Sequence, residues 1–515
     1  MKLFTAKEMK RIDAAAEKDY ALPGLLLMEN AGRAVANEAE LFLEKQDGRK
    51  VMLFAGKGNN AGDSFAAART LANKGWSVSV ALVAEKREYK GDALLQLEIL
   101  QKCGLPVLVL KSAMDWDRAF VEASLSDLLI DGLLGTGFHG ELAPDFLRAA
   151  DLINAVKTPV LAIDLPSGID PDTGRAAHGA VKAELTVTMA APKPGLYLYP
   201  GASFAGKVKV AEIGHPLRLL AAQAGKRELV TPALIKPRLR ERPVNAHKGM
   251  AGRVVLFAGS PGFTGAAALA SYAAVKTGAG LVTLLTPLSS QNVLAVKLTE
   301  VMVKGMIERT PGVLGSGAVN EMLSIAEACD ASAIGPGLGV AEATKEVVRE
   351  YLTKCEKPIV IDADALTALN GHTEILGKMR TVKVLTPHPA EMARLTGDTP
   401  ESVDNERIAV AARYAAAWQA VIVLKGAPTV VALPDGSVWL NQTGNEGMAS
   451  GGSGDVLTGV ITALLGQGLA AADAAIVGVY LHGLAGDLAA ADGKIGLAAG
   501  QLCEKLPQAR KKAGE

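Results

Sequence analysis

The sequence predicts an α/β protein built from two doubly wound domains. Short runs of aliphatic and β-branched residues alternate with longer segments of helical periodicity, which is typical of a mainly parallel sheet covered by helices on both faces. The alternation is interrupted once, between Leu217 and Gly252, by a stretch with several prolines and a cluster of Lys and Arg. We therefore expect a first domain over residues 1–217, a linker and the start of the second domain over residues 218–252, and the second domain over residues 253–510.

The composition is that of an ordinary globular protein that is long enough for more than one domain. Of the 515 residues, 49% are hydrophobic and 21% are charged, and 54 basic side chains balance 54 acidic ones. This balance argues against nucleic acid as the main partner, because binding to a phosphate backbone needs a clustered basic excess. The charged N-terminal stretch lacks the apolar core of a signal peptide, and no apolar run is long enough to span a membrane. We expect a cytoplasmic protein without a membrane partner.

The four cysteines are scattered along the chain at Cys103, Cys329, Cys355 and Cys503. No CxxC spacing occurs among them, so neither a disulfide framework nor a zinc site is indicated. We expect all four to be reduced residues of the core.

The first half contains helices at its start and then strands at regular spacing. Two helical patterns occupy residues 1–45, and the second of them, Leu25 to Leu43, carries Asn30 on an otherwise apolar face, where it is expected to be a buried amide bonded to a neighbouring loop or a functional group. A Gly/Asn loop follows the first strand, and a helix is expected from about Asp63, which together form a nucleotide-binding arrangement without the GxGxxG spacing. The predicted strands are Val51 to Ala55, Val78 to Ala84, Val107 to Leu110, Asp127 to Leu133, Val160 to Leu165 and Leu185 to Met189.

Three of these strands end in polar residues that packing does not explain. They are Asn59, Asn60 and Asp63 after the first strand, Asp131 in IDGLLGTGF, and Asp164 and Ser167 in AIDLPSGID. Ligands of open α/β sheets bind at the carboxyl ends of the strands, so we expect these side chains to converge. Amide, carboxylate and hydroxyl oxygens without His or Cys suit a hard cation such as K⁺ or Mg²⁺. Each residue taken alone is also a common turn residue.

The second half repeats the pattern from Arg253 onward. Small side chains at Gly265 to Ala268 indicate either a planar ligand lying against a helix or close packing of two helices. Four further strands end in polar or glycine-rich corners that we expect at one sheet edge: Ser332 to Gly339, Pro358 to Leu366, Val382 to Leu395 and Val421 to Gly436. Before them, the basic run of the linker is either a phosphate-binding patch or a solvated connector, and Asn245 to Gly249 abuts the first strand.

The stretch from Asn445 to Leu465, NEGMASGGSGDVLTGVITALL, is a glycine-rich turn followed by a buried helix. Four glycines precede Asp455, and apolar pairs recur every four residues after it. Such a turn directs unpaired backbone N–H groups and the positive end of the helix dipole at one point, where an anion binds. Asp455 at the entrance is placed to accept a hydroxyl proton during phosphoryl transfer, or else it only caps the helix.

The first half resembles the NAD(P)H-hydrate epimerase family. MENAGRA, GKGNNAGDS, DGLLGTGF and DLPSGID occur in the family's order over about residues 1–215. The resemblance implies a Rossmann-like domain in which Asp164 is the acid/base, although Ala61 and Ser64 replace two glycines that are usual in this family. It implies that K⁺ is bound by Asn60, Asp131 and Ser167. It also implies that the hydrated nucleotide is contacted by Asn59, Asn60, Ala61, Gly62, Asp63, Gly135, Thr136, Gly137, Phe138, His139, Gly140, Glu141 and Asp164.

The second half resembles the ADP/ATP-dependent NAD(P)H-hydrate dehydratase family, which is similar in fold to ribokinase-like kinases. Five motifs match in order over about residues 230–505, and MASGGSGD differs from the common MATGGTGD only by Ser for Thr. The resemblance implies that the hydrated nicotinamide nucleotide is contacted by Ala266, Gly337, His388 and Asp455. It implies that the adenine nucleotide, with Mg²⁺, is held by Lys425, Gly426, Ala427, Pro428, Thr429 and Gly454. Without the motif, His388 would be read as a turn histidine.

Together the two resemblances imply a bifunctional lyase and isomerase that repairs hydrated NADH and NADPH. The first domain would interconvert the R and S hydrates (NADHX and NADPHX), and the second would dehydrate the S form while ADP is split into AMP and phosphate. The resemblance also implies a homo-oligomer. A ribokinase-like small-molecule kinase and a nucleotide-binding module with an inactive first domain remain as alternatives, because GGSGD also serves kinases and the first loop departs from its family pattern.

Overall fold

The computed structural model describes residues 1–43, 48–223 and 225–514. The chain divides into two compact units. The first unit runs from Lys2 to Arg227, and the second comprises Met1 and the chain from Glu228 onward.

The first unit is an α/β domain with one sheet. Its helices are α1 (Ala6–Tyr20), α2 (Gly24–Leu43), α3 (Asn59–Asn73), α4 (Gly91–Lys102), α5 (Ala113–Ser124), α6 (Pro144–Ala155), α7 (Ala202–Ala205) and α8 (Leu217–Gln223). Its strands are β1 (Lys50–Ala55), β2 (Ser77–Leu82), β3 (Val107–Val109), β4 (Leu128–Gly132), β5 (Val160–Ile163), β6 (Leu185–Met189) and β7 (Lys207–Ala211).

The sheet of the first unit is parallel throughout, with strand order β3-β2-β1-β4-β5-β6-β7. The central strands β1 and β4 are almost wholly buried, because helices cover both faces and the apolar side chains of the strands pack into a core on each face. Strand order reverses between β1, whose next partner in sequence is β2, and β4 on its other side. A ligand crevice is expected at this switch point, outside the carboxyl ends of these two strands.

The predicted strands of this unit agree with the observed ones to within about two residues, but one helix begins earlier than expected. Gly58 is the extended N-cap of α3, so the helix starts at Asn59 and not near Asp63. The Asn-rich segment that we expected to be a loop is therefore the first helical turn. Its side chains are fixed by the helix at the sheet edge, which favours a preformed site.

The second unit is a larger α/β domain. Its helices are α9 (Pro232–Ile235), α10 (Thr264–Thr277), α11 (Leu288–Lys297), α12 (Ala318–Glu327), α13 (Glu342–Lys354), α14 (Asp364–Ala368), α15 (Glu374–Lys378), α16 (Pro389–Thr396), α17 (Pro400–Asn405), α18 (Arg407–Trp418), α19 (Ser453–Gly466), α20 (Ala471–Ala489) and α21 (Ala499–Ala513). Its strands are β8 (Arg227–Leu229), β9 (Arg253–Phe257), β10 (Leu281–Pro287), β11 (Met302–Met306), β12 (Glu308–Thr310), β13 (Val313–Leu314), β14 (Ala331–Ile334), β15 (Ile359–Ile361), β16 (Lys383–Leu385), β17 (Val421–Leu424), β18 (Thr429–Ala432) and β19 (Val438–Asn441).

Ten of these strands form one sheet in the order β11-β10-β9-β14-β15-β16-β17-β18-β19-β8. The strands from β11 to β17 are parallel, and β18 and β19 continue the sheet in antiparallel fashion. Because the seven parallel strands end on the same side, the corners after β9, β14, β15, β16 and β17 share one edge. The strands β12 and β13 form a separate hairpin.

The buried helix α19 packs closely against α10, and small residues allow this contact. A β-carbon on Gly459 would lie 2.0 Å from the carbonyl oxygen of Ala270, so no larger residue fits there. Ala267 and Ala268 are also buried, but the α10 residues that meet Gly459 are Ala270 and Ala273, so the closest contact of the two helices lies just after Gly265 to Ala268. Ala266 remains partly exposed at the start of the helix.

Several expectations about the rest of the chain have clear outcomes. All four cysteines are free, but Cys103 is exposed at the end of α4, so the expectation that it is a core residue is wrong. Asn30 is exposed, so it is not the buried amide that one alternative describes. Its amide does bond to a neighbouring loop, since it donates to the carbonyl oxygen of Ile213 after β7 at 2.9 Å. Among the helices of the described ranges, none has the length and hydropathy needed to cross a membrane.

Candidate active sites

The first unit contains a cleft of about 1150 Å³ at the switch point of its sheet. The cleft is lined by residues that follow β1, β4 and β5 and by one face of α1. Most of the epimerase residues expected from the sequence line it: Asn59, Asn60, Asp63, Gly135, Thr136, Gly137, Phe138, His139, Glu141 and Asp164. Three strand ends that the sequence singled out separately therefore meet in one cavity.

Ala61 and Gly62 point away from the cleft, into the packing of α3. A β-carbon on Gly62 would lie 2.4 Å from the sulfur of Met28. Ala61 and Ser64 are fully buried, and the Ser64 hydroxyl donates to the carbonyl oxygen of Asn60 at 2.9 Å. The two side chains that replace the usual glycines do not line the cleft, so they do not narrow it. Crowding of the cleft by these two side chains is therefore not a reason to expect an inactive first domain.

Asp131, Ser167 and Asn60 form a compact group at the end of β4. The Asp131 carboxylate is 0% exposed and accepts from the backbone N–H of Ser167 at 2.7 Å and from its hydroxyl at 2.6 Å. The amide of Asn60 donates to the carbonyl oxygen of Leu134 at 2.9 Å, and the N–H of Leu134 donates to the Ser167 hydroxyl at 2.9 Å. Burial raises the pKa of Asp131 to about 6, although its hydrogen bonds oppose the shift. The described residues give this carboxylate no cationic partner.

This group has the chemistry of a site for a weakly charged hard cation. Carboxylate, hydroxyl, amide and carbonyl oxygens lie together around Leu134, and no His or Cys belongs to the group. A buried carboxylate without a cation is costly, so a monovalent ion would stabilise its charged form. Elsewhere in the described ranges, no cluster of three or more His, Cys, Asp or Glu side chains suits a metal ion.

Asp164 lies directly after β5 in a strained turn and is held by a buried lysine. Its Oδ1 accepts from Lys193 Nζ at 2.5 Å, from the Thr188 hydroxyl at 3.1 Å and from the Met189 N–H at 3.1 Å. Asp164 has φ +67°, a conformation that is uncommon for residues other than glycine. Sequence reasoning missed Lys193, and its only signal was a lysine between two prolines just after a buried strand.

Asp63, the fifth residue of α3, is a second carboxyl group in the cleft. Its pKa lies well above its ordinary range because the group is buried and because the carboxylates of Asp164 and Asp13 are near it. The ammonium of Lys193 only partly offsets this. Two carboxyl groups in different electrostatic settings are the usual arrangement for proton transfer.

In the second unit, the glycine-rich turn before α19 presents free backbone donors. Gly452 is the N-cap in a left-handed conformation with φ +94°. The N–H groups of Gly451, Gly452, Gly454 and Asp455 have no acceptor in the part of the chain that the structure describes. Four free amides within five residues at a helix N-terminus are an arrangement that suits an anion such as phosphate.

Lys425, at the end of β17, brings its ammonium to this turn. A β-carbon on Gly454 would lie 3.3 Å from Lys425 Nζ, so lysine and turn are neighbours, as the sequence predicted. The ammonium donates to Asp362 Oδ1 at 2.9 Å and lies 3.7 Å from Glu391. Burial alone would lower the pKa of Lys425, but the charges of Asp362 and Glu391 outweigh it and raise the pKa. The lysine is therefore a cation at neutral pH.

Asp362 is the anchor of this site and was not singled out from the sequence. Its side chain is 1% exposed, and its second oxygen accepts from the Thr458 hydroxyl of α19 at 2.6 Å. It thereby ties the end of β15 to both Lys425 and the helix. The signal was present in PIVIDADAL, where an aspartate follows a fully apolar strand.

Asp455 lies in the first turn of α19 and has the pKa of a general base. Burial and the negative charge of Asp362 raise its pKa to about 7, and Lys425 opposes the shift. Asp364 and Glu391 add to the rise. A carboxylate whose pKa is near neutrality accepts a proton efficiently in the physiological range.

His388 is the N-cap of α16 and is about half exposed. Its Nδ1 accepts from the N–H groups of Ala390 at 3.2 Å and Glu391 at 3.3 Å, so the neutral ring carries its proton on Nε2. Burial lowers the pKa of His388, and the Glu391 carboxylate only partly offsets this. The ring is thus fixed as a neutral donor beside Lys425 and Glu391, and it also fulfils the turn role that the sequence alone allowed.

The remaining expected residues lie in two further corners of the same edge. A β-carbon on Gly337 would lie 3.1 Å from that of Ala266, so these two residues meet. Gly426 has φ +142° because the guanidinium of Arg407 occupies the space of a side chain. Arg407 donates to the carbonyl oxygens of Leu424 and Lys425 and fixes the start of the segment Lys425 to Thr429.

Comparisons with known proteins match each half of the chain to a family. The family described as NAD(P)H-hydrate dehydratase matches residues 254–508, and the one described as YjeF-related protein N-terminus matches residues 24–195. The bifunctional NAD(P)H-hydrate repair enzyme Nnr of Moorella thermoacetica is 45% identical over 509 residues, which is 98% of this chain and 96% of that protein. The protein of the same name from Thermofilum pendens is 39% identical over 513 residues, or 99% and 96% of the two chains.

Among solved structures, the chain is similar to an ADP/ATP-dependent NAD(P)H-hydrate dehydratase from Bacillus subtilis that was co-crystallised with ATP and Mg²⁺. The two are 33% identical, with a TM-score of 0.50. The match covers 56% of this chain and 98% of the Bacillus chain.

Proposed function

The chain belongs to the family of bifunctional NAD(P)H-hydrate repair enzymes, and from that premise we propose which residues of each unit carry the two reactions. The first unit is the epimerase domain, which interconverts the R and S hydrates of NADH and NADPH, and the second is the nucleotide-dependent dehydratase domain, which converts the S hydrate to NAD(P)H. The observation that carries the assignment of residues is Asp455, a carboxyl group with a pKa of about 7 beside four free amides and the Lys425 ammonium.

The dehydration needs activation because hydroxide at C6 of the hydrated ring is a poor leaving group. Phosphoryl transfer from the nucleotide to that hydroxyl makes it a good one. Asp455 accepts the hydroxyl proton, the amides of Gly451 to Gly454 bind the transferring group, and Lys425 positions the nucleotide phosphates. The ring nitrogen lone pair then expels phosphate, and loss of a proton from C5 completes the dihydropyridine. With ADP as the donor, the products are NAD(P)H, AMP and phosphate.

The remaining binding residues surround these groups. Ala266 and Gly337 form a surface for the hydrated nicotinamide nucleotide, and His388 offers its Nε2 proton to it. The segment Lys425, Gly426, Ala427, Pro428 and Thr429 holds the adenine nucleotide together with Gly454. Mg²⁺, which neutralises phosphate charge when bound, would enter with the nucleotide. The Bacillus relative, crystallised with ATP and Mg²⁺, supports this use of a nucleotide and magnesium.

In the first unit, Asp164 is the acid/base of epimerisation. The free Oδ2 of Asp164 faces the cleft that holds Asn59 to Asp63 and Gly135 to Glu141, where the hydrated nucleotide binds. Asn60, Asp131 and Ser167 would hold K⁺, whose charge stabilises the buried carboxylate and fixes the loop at the end of β4. The oxygen-rich group around Leu134 supports this choice of ion.

We also propose that ADP is the working nucleotide, that both NADHX and NADPHX are substrates, and that the enzyme is a cytoplasmic homo-oligomer. The solved relative from Bacillus subtilis, which is described as ADP/ATP-dependent, supports an adenine nucleotide of this kind. Exposed apolar side chains on α5, namely Met114, Val121 and Leu125, support contact between copies. Light scattering of the purified protein measures the assembly directly.

The first experiment follows absorbance at 340 nm with a mixture of R- and S-NADH-hydrate. The assay contains K⁺ and Mg²⁺, with ADP, ATP or no nucleotide. Complete recovery of NADH with ADP is expected, because both domains act. Recovery that stops at the S fraction would contradict an active epimerase, and a stable phosphorylated product without NADH would favour a ribokinase-like kinase. Faster recovery with ATP than with ADP would overturn the choice of nucleotide.

A further inference from the structure

Lys193 is a fully satisfied ammonium in the wall of the epimerase cleft. Its side chain is 1% exposed, and it lies just after β6. Its Nζ donates to Asp164 Oδ1 at 2.5 Å, to the Thr188 hydroxyl at 3.1 Å and to the Met189 carbonyl oxygen at 2.9 Å. A lysine ammonium has three N–H donors, and these contacts use all three. No N–H of Lys193 is left for a substrate.

The bonds to Asp164 all fall on one of its two carboxylate oxygens. Oδ1 accepts from Lys193, from the Thr188 hydroxyl and from the Met189 N–H. Among the described residues, Oδ2 accepts no hydrogen bond, and Asp164 lines the cleft. The carboxylate is therefore held through Oδ1, and Oδ2 remains available to a ligand in the cleft.

The backbone on both sides of this contact is strained. Asp164 has φ +67°, and the N–H of Leu165 donates to the carbonyl oxygen of Ile163 at 2.8 Å across it. Ala190 has φ +61°, and the N–H of Ala191 donates to the carbonyl oxygen of Met189 at 2.7 Å. Such three-residue turns are rare, and a strained residue persists only when its surroundings hold it. Two of them end the neighbouring strands β5 and β6, and Lys193 bridges these strand ends.

We propose that Lys193 is the positioning residue of the epimerase: it holds Oδ1 of Asp164 so that Oδ2 faces the hydroxyl at C6 of the substrate. This inference rests on the proposed role of Asp164 as acid/base. Lys193 acts through Asp164 and touches no substrate atom, so its loss lowers kcat and leaves KM nearly unchanged.

The charges around the pair are consistent with this role. The cleft contains Asp63 from α3 and Asp13 from α1, and Asp13 accepts from His215 Nε2 at 2.9 Å. Burial and the charge of Asp164 raise the pKa of Asp63. The Lys193 ammonium is hydrogen-bonded to Asp164 and not to Asp63, so its positive charge lies closest to the proposed acid/base.

The test is the substitution Lys193→Met, which keeps the length of the side chain and removes the charge. We expect kcat for conversion of R-hydrate to fall at least about tenfold, while dehydration of pure S-hydrate is unchanged. Lys182→Met, at an exposed lysine of the same unit, is the matched control and has no effect. Retention of wild-type kcat in Lys193→Met would overturn the inference.

The double variant Asp164→Asn with Lys193→Met separates this inference from the assignment of Asp164. If Lys193 acts only through Asp164, the double variant is as slow as Asp164→Asn alone. A further drop would show an independent role of Lys193 and overturn the inference. Full activity of Asp164→Asn would instead refute the proposed function of Asp164.

Thr188→Val keeps both charges and thus tests the inference if Lys193→Met unfolds the first unit. It removes the hydroxyl that contacts both Asp164 and Lys193. A fall in kcat without a change in KM is expected, and an unchanged kcat contradicts the positioning role.

Discussion

The two units place a lysine near the proposed catalytic carboxylate, but they pair it differently. In the first unit Lys193 donates directly to Asp164 at 2.5 Å. In the second unit Lys425 donates to the neighbouring Asp362 at 2.9 Å, and Asp455 has no hydrogen bond from it. Burial and the charge of Asp362 then raise the pKa of Asp455 to about 7.

The difference shows that the two lysines have different partners: Lys193 is bonded to the proposed catalytic carboxylate itself, and Lys425 is bonded to a neighbouring acid. A direct ammonium contact favours the charged form and fixes its geometry. A lysine that is committed to another acid leaves the carboxylate buried among like charges, where it gains and loses a proton near neutral pH. The bond to Asp362 also keeps Lys425 beside the glycine-rich turn before α19. The following predictions test this contrast.

Asp455→Asn removes the proposed base of the second unit. We expect conversion of S-hydrate to NADH to slow by about 10²–10⁴-fold, which is the usual contribution of a general base, while epimerisation persists. Absorbance at 340 nm measures dehydration, and chromatography of the two hydrates measures epimerisation. Asp398→Asn, at an exposed aspartate of the same unit, serves as the control. A loss smaller than about tenfold, or 1.4 kcal/mol of barrier, would exclude Asp455 as the base.

Asp164→Asn removes the proposed acid/base of the first unit. R-hydrate should then disappear only at the spontaneous rate of epimerisation, whereas S-hydrate is consumed as before. The measurement is the time course of both hydrates with ADP present, and Asp117→Asn on α5 is the matched control because this aspartate is exposed. If R-hydrate is cleared faster than it epimerises spontaneously, Asp164 is not the acid/base of the first unit.

Asp131→Asn tests the proposed K⁺ site of the first unit. No K⁺ site is proposed for the second unit. The amide keeps the shape of the buried side chain but carries no charge, so K⁺ loses its anionic ligand. We expect epimerase activity to fall about tenfold or more at saturating K⁺ and to lose its dependence on K⁺ concentration. Titration with KCl at constant ionic strength, with choline chloride as balance, measures this. A wild-type enzyme that is indifferent to K⁺ would refute the site.

The sequence was sufficient for the fold class and for most of the residues that meet in the two sites. The alternation of strands and helices predicts parallel sheets, and parallel strands place their carboxyl ends at one edge, so Asn60, Asp131, Asp164 and Ser167 were expected to converge. The glycines before Asp455 predicted the free amides because a helix N-terminus always has unpaired donors. Ligand contacts implied by family resemblance remain predictions.

The anchors of the sites could not be predicted in the same way. Lys193 and Asp362 act through partners that are 29 and 63 residues away in sequence, and no local pattern specifies such pairs. The start of α3 at Asn59 was missed because Asn and Gly favour turns. The helix forms there only because its first residues pack at the edge of the sheet. The buried positions of Ala61 and Ser64, which replace two glycines usual in the family, could not be predicted either, because the direction of a side chain on a helix turn depends on that same start.

The pH dependence of the two reactions is the most sensitive test of the contrast. The base must be ionised, so kcat/KM for S-hydrate should fall tenfold per unit below pH 7, where Asp455 becomes protonated. Asp362→Asn removes a negative charge that raises the pKa of Asp455 and releases Lys425 from its nearest partner, so this limb should move to lower pH. The KM for ADP should rise as Lys425 loses its anchor, whereas Asp398→Asn should change neither quantity. A limb that stays near pH 7 in Asp362→Asn would mean that burial alone, and not the pairing of the lysine, distinguishes the two units.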